Sequence, residues 1–296
     1  FVLALTLGPA LILPALSGSL QGWQDFQGMS IAGLIGPVMR LTAGAGLVWL
    51  GFGVSGALGG FLVAGLAAAG FTAFLLARRL IDVPPQPPAV TLKELIQFSL
   101  QVAVAALAFA ALTNTDVVFA RHFFPAEQAG HYSAAATLGK IVLFLPGPVA
   151  TLMFPKASAR HAARASRTSM LRKSALATLG LSLVVVAIFV VWPVGITRLL
   201  YGSEYTEAGQ WLSLYGLAMI GTALVNLLMF HYLAAREARF VGIMLCFAVG
   251  QVLLLAFAPA NPLTYIAVVA GSAWGILLVA EAWLGGLRKG DVSRSV

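Results

Sequence analysis

Charged side chains are scarce in this chain. Asp, Glu, Lys and Arg make up 9% of its 296 residues, against about 25% in soluble domains. That shortfall excludes an ordinary water-soluble globule and places the chain in a bilayer. Cysteine is nearly absent: Cys246 stands alone, so no internal disulfide, thiolate metal centre or CxxC redox pair can form. The four histidines, at 122, 131, 161 and 231, are scattered and no HExxH occurs, so no metal set is expected. The phosphate-cradling GxxxxGK[ST] is also missing. Gly139-Lys140 is followed by Ile141, and Ala134 stands where the first glycine would be. No cofactor is therefore expected.

What the chain does have is apolar length. Hydrophobic residues make up 60% of it, and the mean hydropathy is +0.93. Windows of about 20 apolar residues predict an all-α polytopic membrane bundle. Nine spans are expected, near 1–17, 29–50, 54–77, 96–118, 132–154, 175–195, 210–233, 240–258 and 263–284.

The few charges set the orientation. With Ser17–Gly28 on the cytoplasmic side, inward segments hold 14 of the 18 Lys and Arg, and outward segments hold only Arg121 and Arg198. Arg40 and Lys140 fall inside spans. Basic residues collect on the cytoplasmic side of membrane proteins, so this orientation is favoured and the C-terminus is expected inside. The net charge of +8 then belongs to anionic lipid headgroups rather than nucleic acid. No outward loop exceeds about 16 residues. A membrane glycosyltransferase or polymerase needs a larger outer platform for its sugar substrate, so an enzyme is not expected. Phe1 is already apolar, with no Met, basic region or cleavage site ahead of it. Nine spans ending inside begin outside, so an upstream portion is expected, and three more spans would make about twelve.

The segment 81–91, "IDVPPQPPAVT", carries four prolines, which cannot continue a helix and favour extended polyproline conformation. It divides the chain into 1–80, with three spans, and 92–296, with six. Residues 156–173 hold six basic residues and no acidic one, with Arg160, Arg164 and Arg167 on one helical face. Such a segment suits a helix lying on the inner leaflet, or an electrostatic entry region for a pyrophosphate-linked lipid.

One longer pattern carries a resemblance. A span ends near Asp116, then comes "FFPAEQAGHYSAA", then "LGKIVLFLPGPVATLMFPKAS". In that order the elements resemble the seventh and eighth helices of polysaccharide-exporting flippases of the multidrug/oligosaccharidyl-lipid/polysaccharide (MOP) superfamily. "LLYGSEYTEAG" resembles an outward loop of those exporters, and "LQGWQDF" their turn between the fourth and fifth helices. The order and spacing of these patterns are more specific than any one of them.

The resemblance implies two lobes joined on the cytoplasmic side and working by alternating access. The cargo would be a lipid-linked oligosaccharide, such as a polysaccharide or O-antigen precursor, moved across a bacterial cytoplasmic membrane. Membrane lipids and polysaccharide assembly proteins are the implied partners. A drug/cation antiporter of the same superfamily is the nearest alternative, and needs membrane-embedded acids.

Seven polar side chains within or at the ends of spans are candidates for the work. Ionisable groups there cost about 2.5–3.5 kcal/mol each on insertion scales, so they face a cavity or a partner. Arg40 and Lys140 suit phosphate groups, although Arg40 can also snorkel to the cytoplasmic surface. Asp116 suits ion coupling or charge balance, or an ion pair with Lys140 or Arg121. Glu281 has the same two uses, or is wetted at the interface beside Trp283. Gln101, Asn114 and Asn226 are candidate cavity-lining groups. Asn226 shares a span with Tyr215 and His231.

Overall fold

The computed structural model describes residues 2–23, 25–80, 91–147 and 167–285. The linker 81–90, residues 148–166 and the tail 286–296 lie outside the described residues. Most of the proline-rich segment and the greater part of the basic segment fall there. All the described secondary structure is helical. Seven stretches are long and apolar enough to cross a membrane, and one of them, Gln27–Arg79, is 53 residues long and contains two helices. The protein is a multi-pass membrane protein. It divides into two compact units, residues 1–89 and 90–296.

The first unit contains α1 (Val2–Gly22), α2 (Phe26–Leu47) and α3 (Gly53–Leu80). Asp25 caps α2, its carboxylate accepting from the Gly28 amide at 3.0 Å. Between α2 and α3 a turn at Val48–Phe52 uses positive φ at Gly51 and Gly53, where a side chain would strain the backbone. The chain then returns so closely that a Cβ on Gly60 would lie 2.7 Å from the Gly44 Cα. Small residues permit this backbone-on-backbone packing in lipid.

The second unit opens with α4 (Leu92–Phe123). A capping box starts it: the Thr91 hydroxyl accepts from the Glu94 amide, and the Glu94 carboxylate accepts from the Thr91 amide. Phe124 turns extended before Pro125, as a residue ahead of proline prefers. Then follow α5 (Ala126–Gly139), α6 (Ile141–Phe144), α7 (Arg167–Val191), α8 (Pro193–Tyr201), a 3-10 turn (Ser203–Ala208), α9 (Gly209–Ala234), α10 (Ala238–Phe257) and α11 (Pro262–Leu284). The predicted fifth span, 132–154, is thus broken at Lys140, and 148–154 lie outside the described residues.

Helix α9 is the axis of this unit. In the 32-residue stretch that holds it, 72% of the most apolar window is buried, against at most 39% in the other candidate spans. It packs against α5, α7 and α11, while α10 packs against α4 and α11. The two larger apolar clusters form around Tyr132, Tyr215 and Tyr265 and around Leu112, Leu227 and Phe240. Asp116 lies on α4 between Leu112 of one cluster and Ala120 of the other.

Candidate functional site: a carboxylate between two tyrosines

Asp116 is fully buried, seven residues before the end of α4. One of its oxygens, Oδ2, accepts two hydrogen bonds of 2.8 Å, from the Tyr132 hydroxyl on α5 and the Tyr215 hydroxyl on α9. Three helices therefore meet at one oxygen atom. The other oxygen, Oδ1, has no hydrogen-bond partner among the described residues. A buried polar atom left unsatisfied costs about 1–3 kcal/mol, and more when charged, so this one can accept from a proton donor, a cation or a water.

The tyrosines are themselves held in place. Tyr132 and Tyr215 meet edge to face at 6.0 Å between ring centroids, and Tyr132 meets Tyr265 in the same manner at 6.3 Å. Tyr265 donates to the Leu255 carbonyl at 3.2 Å. Buried tyrosines find partners for their hydroxyls in this way. A Cβ on Gly139 would run into Cδ1 of Tyr215, so the ring requires glycine there. That contact lies beside the break between α5 and α6. Ser182 of α7 donates to the Val142 carbonyl at 3.1 Å and ties the short helix α6 into the bundle.

Lys140 stands at the break. Its ammonium donates to the Asn114 Oδ1 at 3.0 Å, and the Asn114 amide group donates to the Ala110 carbonyl at 2.8 Å. Lys140 and Asp116 also interact through space. On the other side of α4, Gln251 of α10 donates from Nε2 to the Leu112 carbonyl at 3.0 Å and to the Thr115 hydroxyl at 3.2 Å. Its Oε1 has no partner among the described residues.

Three of the seven sequence candidates thus come together: Asp116, Asn114 and Lys140. Asn114 is exposed while Asp116 is buried, because two residues along a helix turn the side chain to another face. Asp116 contacts tyrosines, not the cations that the ion-pair reading offered, and the side chain of Arg121 is exposed. The other four candidates lie elsewhere. Gln101 is fifteen residues earlier on α4, its Nε2 buried without a partner among the described residues. Asn226 is half-buried on α9, eleven residues beyond Tyr215, or about 16 Å along the axis. Glu281 lines a separate apolar cavity with Arg172. Arg40 belongs to the first unit, is exposed, and stacks its guanidinium 4.1 Å above the Phe61 ring centroid.

Tyr132, Tyr265 and Gln251 were not among the candidates, and Tyr215 was noted only as a neighbour on its span. The available signal was chemical. A carboxylate buried among apolar helices needs donors, and tyrosine is a donor that apolar spans tolerate. Among the described residues no group of His, Cys, Asp and Glu could hold a metal ion.

In comparisons with known proteins, no curated protein and no solved structure matches the chain. A family match is found over residues 2–210, to a family described as polysaccharide biosynthesis protein. It takes in Asp116, Lys140 and Tyr132, and ends five residues before Tyr215. The chain belongs to the polysaccharide biosynthesis protein family, which is of the MOP flippase type that its motifs resemble.

Proposed function

We propose that the protein carries a lipid-linked oligosaccharide from the inner to the outer leaflet of a bacterial cytoplasmic membrane, by alternating access and without catalysing a reaction. The observation that carries this reading is the Asp116 oxygen shared by two tyrosines from other helices, inside a member of a polysaccharide biosynthesis family. A carboxylate buried among apolar helices carries a cost that packing alone does not repay. Its free oxygen can take up a proton or a cation while both tyrosine bonds stay in place. Loading neutralises the charge, and unloading restores it, so the preferred arrangement of α4, α5 and α9 would change with occupancy. Lys140, held by Asn114, offers a cation that can exchange its neutral partner for a phosphate oxygen. Arg40 would supply a second anion contact in the first unit.

The test is transport by the purified protein in vesicles, using a fluorescent polyprenyl-pyrophosphate oligosaccharide and imposed proton or sodium gradients. Movement that depends on the protein and is reduced by Asp116→Asn supports the proposal. A drug/cation antiporter would instead exchange organic cations in the same vesicles and leave the glycolipid where it was.

A further inference from the structure

Two apolar cavities lie in line along the seam between α9 and α11. One, of about 420 Å³, is lined by α7, α9 and α11 residues including Leu224, Leu228 and Leu278, with Arg172 and Glu281 at its rim. The other, of about 390 Å³, is lined by Leu214, Leu217, Leu263, Ala267 and neighbours on the same two helices. Trp274 lines both. Its indole lies against Gly221, where a Cβ would come within 3.3 Å of two ring atoms. The lining positions recur every three or four residues, so each helix offers one continuous stripe.

From Leu263 to Glu281 the seam runs eighteen residues, about 27 Å along α11. The hydrocarbon core is about 30 Å thick. An apolar hollow at that depth loses its packing contacts if empty and holds no water, so a hydrocarbon chain fills it. A phospholipid chain reaches about half that depth from either leaflet. Only a longer chain fills both cavities from one headgroup. Arg172, which has no ion pair among the described residues, stands where a phosphate on that chain would lie. Arg172 and Glu281 are the only charged residues in the two linings among the described residues.

We propose that the α9–α11 seam binds the polyprenyl tail of the transported glycolipid, with Arg172 on its phosphate and Trp274 on Gly221 dividing the inner from the outer stretch. The proposal rests on the transport reading and departs from a picture in which the tail stays in bulk lipid.

The experiment photolabels the protein in nanodiscs with a long-chain polyprenyl phosphate that carries diazirines along its tail. Saturable adducts are expected on peptides from both cavities, displaced by unlabelled polyprenyl phosphate and not by phosphatidylglycerol. Ala267→Trp and Leu278→Trp fill one cavity each and should lower labelling about tenfold. Leu253→Trp, on the exposed face of α10 and outside both linings, should leave it unchanged, which separates filling from misfolding. Equal displacement by phosphatidylglycerol, or adducts confined to one cavity, overturns the proposal. Trp variants that lose labelling yet export glycan normally overturn it too, while the transport reading survives. Labelling of both cavities by a protein that exports no glycan supports the tail site and removes the transport reading.

Discussion

The two units hold their helices together by different means. In the first, α2 and α3 touch backbone to backbone at Gly44 and Gly60, and the one ion pair among the described residues there, Asp25–Arg79 at 2.8 Å, is partly exposed at the helix ends. In the second, α4, α5 and α9 are tied through a fully buried carboxylate and two tyrosines. Glycine packing is smooth, lacks charge, and offers nothing for a ligand to alter. A shared carboxylate oxygen couples three helices to one chemical event, the gain or loss of a charge. The second unit is therefore where an ion or proton would be felt.

Mutations that remove the carboxylate should sharpen this contrast most. Asp116→Ala leaves the Tyr132 and Tyr215 hydroxyls without an acceptor, so thermal unfolding of the purified protein should show a loss of about 2–5 kcal/mol. Asp116→Asn keeps an acceptor oxygen for both tyrosines, and should cost far less stability while still impairing transport. If Asn and Ala destabilise equally, the tyrosine bonds are not what joins the helices. Next in size is Gly60→Ala in the first unit. Its new Cβ meets only backbone, at 2.7–2.9 Å, so the helices must part, at about 1–3 kcal/mol. Tyr215→Phe should follow, with a loss of about 0.5–1.5 kcal/mol for one hydrogen bond.

The smallest effect belongs to Arg79→Ala. The bond from the Gly28 amide holds the Asp25 carboxyl below its ordinary range, and Arg79 adds to that. A lowered folded-state value means the contribution is present above the unfolded carboxylate range and is lost as pH falls through the folded one. Stability of the Arg79→Ala protein should differ from the parent only slightly near neutrality, and the difference should vanish in acid. A large effect at neutral pH would break the distinction between the units, because exposed pairs contribute little.

Much of the fold was legible in the sequence because lipid leaves few choices. Apolar runs long enough to cross had to be helices, and their described residues are, apart from the interruption at Lys140. The turn between α2 and α3 falls at Gly51 and Gly53, where the apolar run is punctuated. The break at Lys140 was hidden, because 132–154 reads as one apolar run, and the glycine beside it packs against a ring seventy-six residues away, Tyr215. The same limit applies at the site. A lone acid near the end of a span announces that Asp116 matters, since its cost demands a reason. Which groups answer it depends on tertiary contacts spanning 16 and 99 residues. Sequence spacing carries no trace of those, and charge pairing pointed to Lys140, which the structure gives to Asn114 instead.

Glycan display in a flippase-deletion strain tests the central claim most directly. The gene and its Asp116→Asn variant would be expressed at equal membrane levels, over a panel of lipid-linked glycans. The unaltered protein should restore surface polysaccharide with at least one glycan, and Asp116→Asn should not. Failure across the panel, or full restoration by Asp116→Asn, would contradict it.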